Sequence, residues 1–225
     1  KGRHPVKMLE PVPDSGAPSH TIERIVGNLQ LMDSALRLYG HHGSLSVAAA
    51  INGEDFVPYN EVTFVKEPRL GVSVAWHRDG TTHWDASDWD AGAHGFNYMA
   101  QLYPSTAANG VWVIPGTHHL KDANIPYLVR QSGSERIEAA VPMICDAGDV
   151  VISNRQLVHG SFANTSDDRR ISLNMGFFPR KRVAGVTTTR LEGAVETYGA
   201  ERVHQRTRLI ALAVDARHQR YPEQP

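Results

Sequence analysis

The sequence predicts a mainly β fold, a sandwich or barrel with flanking α-helices, and three observations carry that reading. Between about residues 45 and 180, short runs rich in β-branched and aromatic residues are separated by Gly, Pro, Asn and Asp. Hydrophobic residues recur at helical spacing only near the two ends of the chain. At 225 residues the chain is most simply one domain, 1–225, able to bury a core without disulfide staples.

Residues 1–19 are rich in Pro, Gly and Ser and read as an extended arm. Ile22, Ile25, Val26, Leu29, Met32, Leu36 and Leu38 then follow helical spacing up to Gly40, a suitable C-cap. They predict a helix over about 20–39, so that arm and helix occupy 1–40. Strands are predicted at 45–51, 61–66, 71–77, 95–103, 111–114, 137–144, 148–153 and 170–178, which sets a β core of about 45–180. The insert after Asp79, rich in Trp, Asp, His and Gly, reads as a loop over a site; His83, Trp84, Trp89 and His94 are its candidates to cap a substrate. Asn109-Gly110 predicts a positive-φ turn into the Val111–Ile114 strand, and Pro115-Gly116-Thr117-His118 closes that strand. Val203, Leu209, Ile210, Ala213 and Val214 predict a final helix at about 200–221, packed on the outside or on a second subunit.

Composition excludes several classes. A net charge of −1 and a pI near 6.9 give no electrostatic reason to expect nucleic acid or an acidic membrane as partner. A single cysteine, Cys145, rules out an intramolecular disulfide framework and fits a reducing cytoplasm. No segment approaches the ~20 apolar residues of a membrane span, and the first residues lack the basic-then-apolar texture of a secretory signal.

The chemistry concentrates in two separated stretches. Trp76-His77-Arg78-Asp79 is answered by Gly148-Asp149-Val150-Val151 and then Leu157-Val158-His159-Gly160-Ser161. Two histidines and a carboxylate, His77, Asp79 and His159, are the parts of the facial triad that holds non-haem Fe(II). Side chains two apart on a strand share a face, so His77 and Asp79 can clasp one metal while His159 arrives from elsewhere. Each piece alone has a blander reading: His-x-Asp pairs arise by chance, and His159 alone reads as a core histidine bonded to a carbonyl. Arg170, with the planar fork that suits a carboxylate, lies eleven residues past His159 and points to an anionic co-substrate. Its neighbour Arg169 is the rival, and alternation sends the two to opposite faces. Ser172 shares the face of Arg170 and reads as a second carboxylate donor or a polar filler. Asn97, Met99 and Gln101 share one face, which either lines the barrel, contacting co-substrate or substrate, or meets solvent. His118 and His119 diverge on an extended chain and read as solvated or as outlying supports of the site.

In order and spacing, His77-x-Asp79, Asn109-Gly110-x-Trp112, Pro115-Gly116-Thr117-His118, Gly148-Asp149 and His159-Gly160-Ser161-x-x-Asn164-Thr165-Ser166-x-x-x-Arg170 resemble the phytanoyl-CoA dioxygenase family over about 60–180. The resemblance implies a double-stranded β-helix, a jelly-roll or cupin-like barrel. It further implies His77, Asp79 and His159 as Fe(II) ligands and Arg170 as the grip on the far carboxylate of 2-oxoglutarate, with O2 the second co-substrate. The implied activity is hydroxylation or another oxidation of an unactivated C–H bond of a small molecule, with release of succinate and CO2. Asp79 favours hydroxylation over halogenation, since related halogenases replace the carboxylate with a small residue. Two other classes stand beside it: a jelly-roll hydrolase or isomerase on another metal, which has no need of Arg170, and a ligand-binding barrel without turnover. Arg69, Arg78, Arg155 and Arg180 hint at an anionic small substrate, a polar or secondary metabolite rather than a long acyl-CoA, acted on by a monomer or homodimer.

Overall fold

The longest alternating runs of the sequence become the central strands. The computed structural model describes residues 6–9, 21–70, 73–79, 95–189 and 195–224. In chain order these form β1 Val6–Leu9, β2 Thr21–Val26, α1 Asn28–Leu31, α2 Asp33–Tyr39, α3 His42–Asn52, β3 Phe56–Lys66, β4 Val74–His77, β5 Phe96–Gln101 and β6 Val111–Val113. A 3-10 turn at Thr117–His119 follows, then α4 Ile125–Ser132, β7 Val141–Pro142, β8 Val150–Asn154, β9 His159–Ser161, β10 Arg170–Pro179, α5 Arg180–Val183, β11 Thr187–Thr189, β12 Val195–Thr197 and α6 Ala200–Arg220. Two antiparallel sheets, ordered β1-β2-β3-β10-β5-β8 and β4-β9-β6-β7, make a jelly-roll architecture, with α1, α2, α3 and α6 against the large sheet and α4 against the small one; β11 and β12 form a separate hairpin. Among the described residues no helix is long and apolar enough to cross a membrane.

Strand β10 organises the large sheet, running beside β3 with Arg170 opposite Lys66 and beside β5 with Ser172 opposite Gln101. Alternation divides its residues between two faces. Leu173, Met175 and Phe177 join Phe96, Tyr98 and Ala100 of β5 in one buried cluster with Leu29, Ala35, Tyr39, Ala48 and Ala213 of the helices. Arg170, Ser172 and Asn174, with Asn97, Met99 and Gln101 of β5, therefore line the opposite face, the one turned toward the small sheet. The expectation that Asn97, Met99 and Gln101 share an inward face agrees with this arrangement, for all three are buried.

Two predicted elements exchange character. The helix expected over 20–39 begins as strand β2, whose Ile25 and Val26 pair with Thr63 and Val62 of β3. The spacing of Ile22, Ile25 and Val26 fits either period, and β-branched residues beside an open strand edge favour pairing. Gly27, at φ 79°, then turns the chain into α1, and extended Met32 separates α1 from α2. Conversely, the strand expected at 45–51 is helix α3, started by the His41 imidazole accepting the Gly43 N–H at 3.2 Å. Its run Ala48-Ala49-Ala50 has high helix propensity, and Ser44 and Ala48, one turn apart, face the buried cluster. The strand expected at 137–144 shrinks to Val141–Pro142, because a turn buries Ile137 and Ala140 beneath the small sheet with Ile114 and Val158.

Asn109-Gly110 turns the chain without positive φ. Gly110 is demanded by close approach instead, since a Cβ there would lie 2.5 Å from Ser105 Oγ and Thr106 O. Gly40 answers the same need between helices: its Cβ would fall 2.3 Å from the backbone C and O of Ala213. Rigid backbone cannot yield as a side-chain tip can. Gly40→Ala is expected to prise α2 from α6 and destabilise the fold by roughly 1–3 kcal/mol, read as a lower urea midpoint. The same helix α6 is tied to β3 by the buried Arg206–Glu61 pair, in which Arg206 Nη1 donates to Glu61 Oε1 at 2.9 Å.

Candidate active site

The two halves of the His-Asp-His set meet because β4 and β9 pair. His77 lies directly across from His159, and His159 in turn faces Val113 of β6. The two imidazole centroids stand 4.3 Å apart. Gly160 makes the approach possible, for a Cβ there would sit 3.1 Å from Val74 O and 3.3 Å from Trp76 Cα. Each imidazole is aimed in the same way: His77 Nδ1 is 2.8 Å from Ala75 O, and His159 Nδ1 is 2.9 Å from Leu157 O. A carbonyl only accepts, so each Nδ1 carries the proton and each Nε2 keeps its lone pair for a ligand. Both Nε2 atoms point at Asp79, at 3.5 Å to Oδ1 from His77 and 3.7 Å to Oδ2 from His159. One ligand atom from each of the three residues lies within 4.8 Å of the others, a spacing that can hold a metal ion.

Asp79 is itself held from two sides. Its N–H donates to Arg155 O at 3.3 Å, and Asn97 Nδ2 donates to its Oδ2. Burial pushes the Asp79 carboxyl up, but the His77 hydrogen bond and the charges of Arg155, His159 and His77 outweigh it and hold the group well below the usual carboxylate range. Burial dominates at His159 and lowers its pKa, favouring the neutral imidazole that a metal requires.

On the same inner face lies a second constellation, built around two buried cations. Arg170 is 3% exposed; its Nη2 donates to Ser172 Oγ at 2.9 Å and its Nη1 to Asn109 O at 3.5 Å. Lys66, 6% exposed and cross-strand from Arg170, donates to Ser161 Oγ at 2.9 Å and to Phe162 O. Among the described residues neither cation meets a carboxylate. Burial draws Arg170 down to about 10, and burial followed by repulsion from Arg170 draws Lys66 down to about 7. Among the described residues, Arg170 Nε, Gln101 Oε1, Asn97 Oδ1 and Asn174 Oδ1 are buried without a hydrogen-bond partner. Buried polar groups are rarely left so, and unpartnered atoms on this face call for a polar partner.

Arg169 lies on the outer surface with Glu67, its Nε 2.7 Å from Oε2, so alternation separates the two arginines. Lys66 and Asn174 were not singled out by the sequence, and Ser161 figured only in the His159-Gly160-Ser161 motif, without a role. The available signal was the period of β3, because Lys66 continues the face of Val62 and Phe64 as its one charged member. The four arginines differ in place. Arg69 pairs with Asp167, Arg180 with Asp55, and Arg78 binds carbonyl oxygens. Arg155 is buried over the rings of Tyr59 and Phe178, with Nη1 unpartnered. His118 and His119 lie ring to ring, tilted by 42°, in the 3-10 turn, outside the metal-spaced group. His83, Trp84, Trp89 and His94 lie outside the described residues.

Comparison with known proteins gives the same direction. The family described as phytanoyl-CoA dioxygenase (PhyH) matches residues 33–172. Over 87 residues the chain is 33% identical to dioxygenase FrzG of Cladobotryum sp, a match spanning 37% of this chain and 28% of FrzG. The structure is similar to that of EvdMO1, at TM-score 0.57 and 29% identity, over 73% of this chain and 37% of EvdMO1. It also resembles EctD from S. alaskensis with 2-oxoglutarate and 5-hydroxyectoine, at TM-score 0.59 and 20% identity, covering 81% of this chain and 62% of EctD. EctD with bound Fe matches at TM-score 0.61 and 19% identity, covering 90% and 67%.

Proposed function

The chain belongs to the phytanoyl-CoA dioxygenase family, and from that premise we propose that it is an Fe(II)- and 2-oxoglutarate-dependent oxygenase acting on a small molecule. The observation that carries the proposal is the pairing, on one inner face, of a His-Asp-His set with two buried cations that meet no carboxylate among the described residues. A metal hydrolase has no use for Arg170 and Lys66 in such positions. An oxygenase that needs a dicarboxylate beside its iron uses both. EctD, of the same architecture, holds Fe in one structure and 2-oxoglutarate in another.

His77, Asp79 and His159 would hold Fe(II), through two imidazole Nε2 atoms and one carboxylate. Bound there with 2-oxoglutarate and O2, the metal supplies oxidation of a substrate C–H bond, hydroxylation by default, with succinate and CO2 as co-products. The chain's own residues do the rest. Ala75 O and Leu157 O fix the imidazole tautomers. Asn97 holds one Asp79 oxygen, leaving the other to turn toward the metal. Arg170, steadied by Ser172, and Lys66, steadied by Ser161, would grip the far carboxylate through charge-assisted hydrogen bonds. Gln101, on the strand position facing Ser172, offers its unpartnered amide oxygen to the same region.

Anaerobic titration of the apo-protein with Fe(II) and then 2-oxoglutarate tests the reading. A weak visible charge-transfer band that requires both additions is expected and would justify substrate screening by succinate release. Stoichiometric iron without such a band would move the chain to the hydrolase or binding-protein class.

A further inference from the structure

The motif Pro115-Gly116-Thr117-His118 and the residue between His77 and Asp79, Arg78, have no part in the chemistry above. They meet at one atom group. Gly116, at φ 81°, turns the chain so that Thr117 folds back under the small sheet, 5% exposed. Its hydroxyl donates to Ile114 O at 2.7 Å and accepts the N–H of Val158 at 2.9 Å. Val158 immediately precedes His159, and Val158 O accepts the N–H of Ile114 at 2.9 Å, closing the loop of contacts. The carbonyl of Thr117 accepts from Arg78 Nη2 at 2.6 Å, while Arg78 Nη1 donates to Lys121 O at 3.0 Å. One residue thus holds the backbone beside His159 with its side chain, and the segment between His77 and Asp79 with its main chain.

We infer that Thr117 and Arg78 form a brace that positions the His77-x-Asp79 ligands against His159, so that they set metal affinity without touching the metal. The two halves of the triad come from strands more than eighty residues apart in sequence. Pairing of β4 with β9 aligns them along the sheet; His77 terminates β4, and Asp79 lies beyond the ladder. Beside the contacts of Asp79 to Arg155 O and Asn97, the Arg78 fork fastens that overhang to the turn that also carries the His159 side. Outer supports of this kind characteristically tune metal affinity by about 10–100-fold.

The inference rests on the Fe(II) reading, and its test separates the two. Fe(II) affinity is measured anaerobically by competition with a chromogenic chelator, alongside apo-protein melting, for wild type, Thr117→Val, Thr117→Ser, Arg78→Met and the double variant Thr117→Val/Arg78→Met. Val203→Ala, an equally buried truncation on the inner side of α6, serves as the control. Thr117→Val and Arg78→Met are expected to weaken Fe(II) by about 10-fold or more, and Thr117→Ser to restore it. The double variant should lose less than the product of the two, because both act through one residue. Val203→Ala should melt lower and bind iron normally. Wild-type affinity in Thr117→Val, or in Arg78→Met should the threonine variant not fold, overturns the brace alone. So does a loss in Val203→Ala as large as in the brace variants. A wild-type chain that binds no Fe(II) overturns the oxygenase reading with it.

Discussion

His159→Ala and His77→Ala are each expected to abolish stoichiometric Fe(II) binding while leaving the apo-protein folded. Removing one imidazole leaves a single nitrogen and one carboxylate, and a site that retains two protein ligands loses more than the ~10–100-fold seen when only an outer support is lost. The fold has little to lose. Both rings are only partly buried, and their contacts to Ala75 O and Leu157 O are local, two residues back in the chain. The small sheet keeps its ladder through Val113 and Trp112 and its apolar backing of Ile114 and Val158. Iron content after anaerobic desalting, with melting curves recorded on the same samples, checks both halves. Retention of one equivalent of Fe(II) by both variants would remove them as ligands.

The second large effect concerns the co-substrate. Arg170→Ala should retain iron and weaken 2-oxoglutarate by roughly 30-fold or more, the lower end of what truncating one partner of a buried charge pair costs. Arg170→Lys should recover only part of this, because an ammonium cannot make the two-pronged contact of a guanidinium. Lys66 adds a pH dependence whose sign follows from its pKa of about 7 in the free protein, against an ordinary 10.5. An anion bound beside it favours the charged form. Below about pH 7 the proton is already present; above it, binding must take one up. Affinity for 2-oxoglutarate is therefore expected to fall as pH rises from 7, by at most about tenfold per unit for one linked proton. Lys66→Met should bind more weakly below pH 7 and lose that slope. For the free protein, the unfolded chain binds more protons than the folded one between about 7 and 10.5, so this lysine makes stability rise with pH across that window. A pH-independent dissociation constant from 6.5 to 9 in the unmodified chain would exclude Lys66 from the pocket.

What could be read beforehand and what could not divides along physical lines. His77, Asp79, His159 and Arg170 stood out because their residue types are scarce on strands and their spacing has chemical meaning. The opposite faces of Arg169 and Arg170 followed from a period of two, which β10 obeys. The helix-strand exchange at 21–26 and 45–51 was hidden because short apolar runs satisfy both periods, and the deciding partner, β3, lies some forty residues away from β2. Lys66 was missed for a related reason. The period of β3 puts it on the face of Val62 and Phe64, but only its distant cross-strand neighbour, Arg170, tells that this face turns inward. Gly160 and Gly110 carry the same lesson: the atoms that forbid a side chain there belong to distant segments.

The alternation along β10 has one more consequence, for how such a protein can change over evolutionary time. Leu173, Met175 and Phe177 anchor the helices, while Arg170, Ser172 and Asn174, interleaved with them one by one, face the pocket. Substitution on the pocket side can therefore retune specificity with little effect on the apolar side. A change of length cannot. A single inserted or deleted residue between Arg170 and Met175 would put the two ends of this stretch out of phase, turning either the guanidinium toward the apolar cluster or the apolar residues toward the opposite face. The bulge between Met175 and Phe177 is where the ladder already absorbs one irregularity. Descendants of this chain should accordingly vary freely in β10 side chains, keep its length fixed ahead of that bulge, and place their insertions in the connections beyond it.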